Sequence, residues 1–266
     1  IIWDLPSQIR NRYLKYCFSH SIRCYMSPKI SDIILLGTDR IHLFDTPLLM
    51  CRNQGLSMEQ RAAKRVLDII VSGLGIIVSS PIMLIIAIAV KAYDGGPVFY
   101  LQDRLTYQGK EFRIRKFRSM CVDSEKNGAR LASKHDSRIT PVGHVLRNLH
   151  LDELPQLFNV FMGDMSLVGP RPERDVIMQE YEQEIPEFHY RLKVKAGLTG
   201  YAQVYGKYNT TPYDKLKLDL FYIENYSFLL DIKLLFMTVK IFFQKEVSEG
   251  VDDNQKNALK DSEDKK

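Results

Sequence analysis

Two adjacent carboxylates, Asp152 and Glu153, stand in the segment LDELPQ and form the acidic pair with the clearest chemical potential. A carboxylate can attack phosphorus as a nucleophile, and paired carboxylates can hold a divalent cation such as Mg²⁺. Adjacent acidic residues at the start of a helix also commonly complement the helix dipole. The pair taken alone therefore leaves a catalytic and a structural interpretation open.

Cationic side chains suited to phosphate lie in two further motifs. Arg171 stands between two prolines in GDMSLVGPRPE, residues 163–173, so it loses little conformational freedom when it binds a phosphate with both arms. The segment KEFRIRKFRSM carries five cations between Lys110 and Arg118. This density favours contact with anionic phosphate, belonging either to a substrate or to lipid headgroups. A rigid loop with a solvated arginine and a solvated strand face are the structural alternatives.

Acidic and cationic groups in this combination suit phosphoryl chemistry assisted by a divalent metal. The rest of the composition narrows the class. A net charge of +5 over 266 residues is too small to indicate nucleic-acid binding by itself. The four cysteines and six histidines show no metal-ligand spacing, which argues against a structural zinc site and a disulfide scaffold.

One segment departs sharply from the average hydropathy. Residues 69–90, IIVSGLGIIVSSPIMLIIAIAV, contain no charge and have the length that a membrane-spanning helix needs. Ser80 and Pro81 stand near the middle, where proline breaks or kinks a helix. Basic residues flank both ends, at Arg65 and Lys91, and basic residues prefer the cytoplasmic side. We therefore predict a helical hairpin that enters and leaves by the cytoplasmic face; a straight span and a buried core helix remain alternatives.

The elements that must position the chemical groups fall into four parts. We expect residues 1–57 to be the end of a larger upstream α/β module with its linker, with strands at 32–36 and 41–44. Residues 58–92 form the hairpin, 93–248 a catalytic domain, and 249–266 a disordered polar tail. The chain begins with Ile rather than Met and has no signal-peptide core in residues 1–20, so we expect a piece of a longer protein that is not secreted.

The predicted fold class is α+β and mostly helical. A re-entrant membrane helix hairpin joins a compact cytoplasmic catalytic domain with a small sheet and amphipathic interfacial helices. Strands are expected at 98–101 and 112–117, and helices begin after Thr140, near 151, at 174 and at 212. The amphipathic stretch 228–243 fits docking on the core and membrane-surface binding equally well.

Read together, these motifs resemble the bacterial sugar transferases, the monotopic phosphoglycosyl transferases of the undecaprenyl-phosphate hexose phosphotransferase type. The likeness covers about residues 60–245. It is carried by KRVLD at 64–68, SP at 80–81, GPVFY at 96–100, KFRSM at 116–120, LDELPQLFNV at 151–160, GDMS at 163–166, VGPRP at 168–172 and GLTGYAQV at 197–204.

The resemblance implies transfer of a sugar 1-phosphate from a UDP-sugar, glucose or galactose being the expected sugar, to undecaprenyl phosphate with release of UMP. Such a step begins exopolysaccharide, capsule or O-antigen synthesis. It implies residence at the cytoplasmic face of a bacterial inner membrane, contact with membrane lipid and no nucleic-acid partner. It is also compatible with a homodimer. The re-entrant helix would break at Ser80-Pro81, and residues 1–57 would be the end of the nucleotide-binding-like module that the long members of the family carry.

The resemblance also assigns roles. Asp152 would be the nucleophile that forms a covalent phosphosugar intermediate, Glu153 would be its partner, and both would hold Mg²⁺. Further roles in substrate or phosphate binding, or in support of the site, fall to Arg147, Arg171, Lys116, Arg118, Gln203 and Asp219. One departure is Gly206-Lys207, where the family usually has Gly-Arg, which puts a phosphate or uracil-side contact in doubt. A non-catalytic scaffolding subunit is the alternative, and the intact acidic pair argues against it.

Overall fold

The computed structural model describes residues 1–3, 5–51, 55–122, 136, 138–207 and 210–242. The chain forms two compact units, residues 1–52 and 53–266. The described residues are mostly helical, with small two-stranded sheets and one long apolar helix. The predicted tail at 249–266 and most of the polar segment 126–136 lie outside the described residues.

The first unit contains helices α1 (Ser7–Ser19) and α2 (Ile30–Leu36), followed by the antiparallel strands β1 (Asp39–Leu43) and β2 (Thr46–Met50). An ion pair between Arg10 and Asp32 joins the two helices, and Ile33 is fully buried. The predicted strand at 32–36 is wrong, because this run forms most of α2. The Asp32 side chain accepts a hydrogen bond from the Lys29 backbone at 2.8 Å, which stabilises the start of a helix.

The second unit begins with helix α3 (Met58–Asp94), which contains the apolar segment. Ser57 and Gln60 form a capping box at its start, and Gly95, with φ of 71°, ends it. The predicted break at Ser80-Pro81 does not interrupt the helix. Proline leaves the carbonyl four residues earlier without its usual donor, and the Ser80 hydroxyl donates to that oxygen, on Ile77, at 2.8 Å.

Both halves of α3 pack on the rest of the second unit. In the first half, Lys64 Nζ lies 2.6 Å from Asp231 Oδ2, and Asp68 Oδ1 accepts hydrogen bonds from Ser166 and Leu167. In the second half, a core cluster joins α3 to later elements and contains Met83, Ile86, Val90, Phe117 and Leu146.

The remaining face of α3 is exposed and apolar. Ile77 and Val78 are 69% and 76% exposed. By length and composition the helix can cross a membrane, and 17% of its most apolar stretch is buried. A hydrocarbon environment suits this face, because burial of apolar surface away from water is favourable.

The strands that carry cationic residues form a hairpin next to α3. Strands β3 (Phe99–Leu105) and β4 (Glu111–Phe117) are antiparallel, with Tyr100 opposite Lys116. Helix α4 (Pro141–Asn148) follows, and the Thr140 hydroxyl caps it by accepting the free amide of Gly143 at 2.9 Å. These elements lie close to the predictions for 98–101, 112–117 and Thr140.

The remaining elements surround a short parallel pair, β5 (Ser166–Val168) and β6 (Gly197–Thr199). Short 3₁₀ helices lie at Leu151–Glu153 and Pro186–Lys193. The α-helices are α5 (Gln156–Met162), α6 (Asp175–Glu184), α7 (Tyr201–Tyr205), α8 (Pro212–Glu224) and α9 (Phe228–Phe242). The 3₁₀ turn and α5 replace the single helix predicted from residue 151.

Candidate active site

Glu153 accepts two cationic side chains on one carboxylate oxygen. Lys116 Nζ lies 2.6 Å from Oε1, and Arg171 Nη2 lies 3.1 Å from the same atom. Burial disfavours the charged form of Glu153, but the charges of Arg171 and Lys116 outweigh it and hold the pKa well below its usual range. The structure thus brings together three of the predicted site residues, one from each of the three motifs.

Asp152 differs from its neighbour. It is 9% exposed, and in the described part of the chain its carboxylate has no hydrogen bond or ion pair. Burial raises the pKa of Asp152, and the charge of Glu153 raises it further, against smaller opposing effects of Lys116 and Arg147. A desolvated carboxylate with unshared lone pairs is suited to act as a nucleophile or a metal ligand.

Local backbone geometry separates the two carboxylates. His150 has φ of 52°, a left-handed conformation that residues other than glycine rarely adopt, and it turns the chain from α4 into the 3₁₀ turn. Pro155 then leads into α5. The tight turn gives Asp152 and Glu153 different surroundings although they are neighbours in sequence.

Asn159 connects α5, the helix that follows the acidic turn, to the cationic strand β4. Its Oδ1 accepts the Arg115 amide at 3.0 Å, and its Nδ2 donates to the Arg113 carbonyl at 2.8 Å. The side chain is fully buried, where unpaired polar groups are costly. Asn159 therefore fixes α5 against β4 and sets the register that places Lys116 beside Glu153. The sequence contained this residue in LFNV but gave no sign of its role.

The loop that presents Arg171 is held through its carbonyl oxygens. Each of the four residues from Pro170 to Glu173 has its carbonyl within hydrogen-bonding distance of a donor on another element. In chain order the donors are the Gly197 amide at 2.9 Å, Arg191 Nη2 at 3.1 Å, Arg104 Nη1 at 3.0 Å and the Leu105 amide at 3.0 Å. The Arg171 side chain, 51% exposed, is left free to point at Glu153 and a ligand.

Two other predicted residues, Arg147 and Arg118, differ in their relation to the acidic pair. Arg147 Nε donates to the Ser119 hydroxyl at 2.8 Å, and its charge acts on Asp152. Arg118 is buried and paired with Asp94, with its guanidinium against Gly96, so it joins the end of α3 to β4 and has no contact with Glu153 among the described residues. The prediction that Arg118 contacts substrate stays a prediction.

Gln203 and Asp219 lie behind the Arg171 loop. Gln203 Nε2 donates to the Leu198 carbonyl at 3.2 Å, while its Oε1 is buried without a hydrogen bond in the described region. Asp219 is 1% exposed and lies 2.8 Å from Arg191. Burial raises the pKa of Asp219 to about 6, against the opposing charge of Arg191.

The carboxylate oxygens of Asp152 and Glu153 could supply part of the coordination of a magnesium ion. No group of three or more acidic, histidine or cysteine side chains suited to a metal occurs among residues 55–122, 136, 138–207 and 210–242. Both Asp152 oxygens and Glu153 Oε2 nevertheless lack protein partners there. Mg²⁺ usually takes one or two carboxylates together with phosphate oxygens and water. The pair therefore offers two carboxylates to a Mg²⁺ ion whose other ligands would be water or phosphate oxygens.

Comparison with known proteins agrees with this geometry. A family model described as "Bacterial sugar transferase" matches residues 59–245. The chain belongs to the bacterial sugar transferase family. The match includes α3, the acidic turn and the Arg171 loop, and it leaves out the first unit.

The named relatives of the chain differ in the sugar that their names give. The chain is 44% identical over 232 residues to a UDP-N-acetylgalactosamine-undecaprenyl-phosphate N-acetylgalactosaminephosphotransferase of Aeromonas hydrophila, covering 86% of this chain and 54% of that protein. It is 43% identical over 208 residues to a UDP-glucose:undecaprenyl-phosphate glucose-1-phosphate transferase of Klebsiella pneumoniae, covering 76% and 43%. A UDP-galactose-lipid carrier transferase of Erwinia amylovora is 34% identical over 258 residues, covering 90% and 53%. The chain thus spans about half the length of these curated relatives.

Proposed function

We propose that this chain transfers a sugar 1-phosphate from a UDP-sugar to undecaprenyl phosphate and releases UMP. The observation that carries the proposal is the contrast between two neighbouring carboxylates. Asp152 is buried and unshared, whereas Glu153 is ionised and holds Lys116 and Arg171 at the same place. A nucleophile next to fixed cations is the arrangement that displacement at a phosphate diester requires.

In the proposed first step, an Asp152 oxygen attacks the phosphorus that carries the sugar. An oxygen–phosphorus bond forms to Asp152, and the bond to the bridging oxygen breaks. The electron pair leaves with that oxygen as UMP. Arg171 and Lys116 lie where they can offset the negative charge that develops on the phosphate oxygens, which is the largest electrostatic demand of such a transition state.

In the second step, a phosphate oxygen of undecaprenyl phosphate attacks the same phosphorus. The bond to Asp152 breaks, the carboxylate is restored, and the sugar diphosphate lipid leaves. Asp152 and Glu153 would hold Mg²⁺, which when bound supplies positive charge to the diphosphate of the donor. Arg147, fixed by Ser119 and close enough to act on Asp152, is placed to meet one of the phosphates.

We further propose that α3 is re-entrant and that the second unit lies at the cytoplasmic face of a bacterial inner membrane. Ion pairs near the two ends of α3 support this topology. Lys64 pairs with Asp231, while Asp94, at the far end, pairs with Arg118. A helix that crossed the bilayer would separate its ends by a hydrocarbon core of about 30 Å. Both partners belong to one compact unit, so the two ends are expected on one side.

A donor panel tests the proposed activity. Purified protein in detergent or nanodiscs is mixed with undecaprenyl phosphate, Mg²⁺ and one donor at a time, and UMP is measured. The panel contains UDP-glucose, UDP-galactose and UDP-N-acetylgalactosamine, the sugars of the named relatives. We expect lipid-dependent UMP release with at least one donor. Lipid and donor binding without UMP release would instead favour the scaffolding alternative.

A further inference from the structure

The geometry points to Arg191 as a positioning residue for Arg171. This inference rests on the proposed function and adds a residue that acts on substrate only through Arg171. Arg191 lies in the 3₁₀ helix Pro186–Lys193, 20 positions after Arg171, and is 4% exposed. Its Nη2 donates to the Arg171 carbonyl at 3.1 Å.

Arg191 is itself held from several sides. Nη2 also lies 2.8 Å from Asp219 Oδ2, Nη1 lies 3.5 Å from Glu173 Oε1, and the guanidinium stacks on the Phe188 ring at 4.9 Å. A planar fork of donors can meet a carbonyl and two carboxylates together, which a single ammonium cannot. The guanidinium is therefore fixed before substrate arrives.

The loop needs this outside support because of its own composition. Pro170 and Pro172 have no amide hydrogen, so the segment has little capacity to form hydrogen bonds within itself. Gly169 and Gly197 lie so close that a Cβ on Gly197 would meet the Gly169 amide nitrogen at 2.1 Å, which seats the start of the loop on β6. Arg191 then holds the carbonyl of the residue whose side chain reaches Glu153.

Arg104 holds Pro172, the residue next to Arg171, and the comparison supports Arg191 as the residue that positions Arg171. Arg104 donates to the Pro172 carbonyl at 3.0 Å and lies 3.9 Å from Glu173 Oε2, but its other nitrogens are bound to Gln102. Arg191 by contrast reaches the backbone of Arg171 directly. We therefore expect loss of Arg191 to misplace the Arg171 guanidinium, and a displacement of about 1 Å at such a site costs on the order of 100-fold in rate.

The test is a double-mutant cycle on UMP release, with wild type, Arg191→Gln, Arg191→Lys, Arg171→Ala and the Arg171→Ala/Arg191→Gln pair. We expect Arg191→Gln to lower kcat/KM by about 10- to 100-fold. Arg191→Lys should restore only part of that loss. In the Arg171→Ala background the same Arg191→Gln change should cost less than about threefold, since the residue it positions is already gone. Equal losses in both backgrounds would overturn the inference.

Hydrogen–deuterium exchange supplies a readout that needs no substrate. Arg191→Gln should speed exchange in peptides covering residues 169–174, while the matched buried-arginine control, Arg10→Lys in the first unit, should leave both exchange there and UMP release unchanged. Unchanged exchange in Arg191→Gln would contradict the inference. Failure of wild type to release UMP would overturn the proposed function and leave the exchange result to decide the role of Arg191.

Discussion

The amine of Lys116 lies 2.6 Å from Oε1 of Glu153, and this contact joins strand β4 to the 3₁₀ turn that bears the acidic pair. The contact fixes one carboxylate of the pair in the ionised state. Its neighbour Asp152 is left without such a cation, although the charge of Lys116 still reaches it. Removal of Lys116 should therefore change the ionisation of both carboxylates.

Lys116→Met should move the acidic limb of the pH–rate profile to higher pH. Lys116 lowers the pKa of Glu153 and of Asp152, so both values rise when it is removed, and each carboxylate then protonates at a higher pH. We also expect a loss of about 100-fold in kcat/KM at neutral pH. The matched control is Lys217→Met, since Lys217 also pairs with a carboxylate at 2.6 Å but lies on α8. An unshifted limb in Lys116→Met would contradict the assignment.

Asp152→Asn should abolish UMP release and covalent labelling together. An amide cannot form the acyl phosphate, and loss of a nucleophile typically costs more than about 1,000-fold. Wild type incubated with UDP-sugar without lipid should release up to one UMP per protein and gain the mass of one sugar phosphate in intact-mass spectrometry. Glu153→Gln should be severely slowed yet still form some adduct. A mass gain that persists in Asp152→Asn would remove that residue from the nucleophile role.

Chelation of divalent cations should stop UMP release. Lys116, Arg147 and Arg171 place three permanent positive charges near Asp152 or Glu153, and a diphosphate donor with a phosphate acceptor carries more negative charge than these three offset. EDTA should remove activity, and excess Mg²⁺ should restore it, as measured by UMP release. Full activity in EDTA would exclude a required metal.

Stability should increase when the pH is lowered from 7 to 5. The pKa of Asp219 is raised to about 6 from 3.8, so the folded protein takes up a proton in this range that the unfolded chain does not. Stability falls with rising pH wherever the folded state binds more protons, which gives about 1.3 kcal/mol over this range. Asp219→Asn should weaken the trend in thermal unfolding, whereas Asp103→Asn, at an exposed position, should leave it unchanged. A trend of the same size in Asp219→Asn would assign it to other buried carboxyls, such as Asp152, whose pKa is also raised.

The Ser80 hydroxyl should stabilise the folded protein only while Pro81 is present. It donates to the Ile77 carbonyl that Pro81 leaves without a donor, and Pro81→Ala restores an amide for that carbonyl. Ser80→Ala should therefore lower the unfolding temperature in wild type, by the loss of a bond worth about 1 kcal/mol, and have a much smaller effect in a Pro81→Ala background. Equal effects in both backgrounds would contradict this account.

The same helix gives a direct test of topology. A cysteine introduced at Tyr93, which is half-exposed just after Lys91, should resist a membrane-impermeant thiol reagent added to intact cells. The four native cysteines are first replaced by serine so that only the introduced thiol reacts. Labelling that occurs from outside the cell would place the two ends of α3 on opposite faces and reject the re-entrant proposal.

Local signals in the sequence predicted several elements well. Thr140 followed by Pro141 marked the start of α4, and the apolar run marked the core of α3. Local signals also misled where tertiary or side-chain contacts decide the outcome. The run at 32–36 has the composition of a strand, yet it is helical and packs Ile33 into the first unit. Pro81 predicted a break, whereas α3 runs through this position and the Ser80 hydroxyl bonds the Ile77 carbonyl.

The acidic pair and Arg171 were predictable because each lies in a dense motif. Contacts between distant segments were not. Lys116 and Glu153 are 37 positions apart, and the Asn159 bonds that bring them together have no signature in sequence. Arg191 in HYRLKVKA looks like any solvated charge, although it is among the most buried arginines described. The sequence suggested that Arg118 is available to bind phosphate. Its ion pair with Asp94 depends on the packing of the end of α3 against β4, which the sequence did not predict.

The hydrogen bonds from Ser166 and Leu167 to Asp68 have a practical consequence for anyone who expresses this protein. Asp68 belongs to the apolar helix, but it completes the polar interior of the strand that leads into the Arg171 loop. A truncated form designed to be water-soluble by deleting the helix would lose both of these hydrogen bonds and would expose the core residues Phe117 and Leu146 that α3 covers. The apolar helix is thus an internal part of the second unit, and we expect extraction of the intact chain with detergent to preserve the site better than truncation.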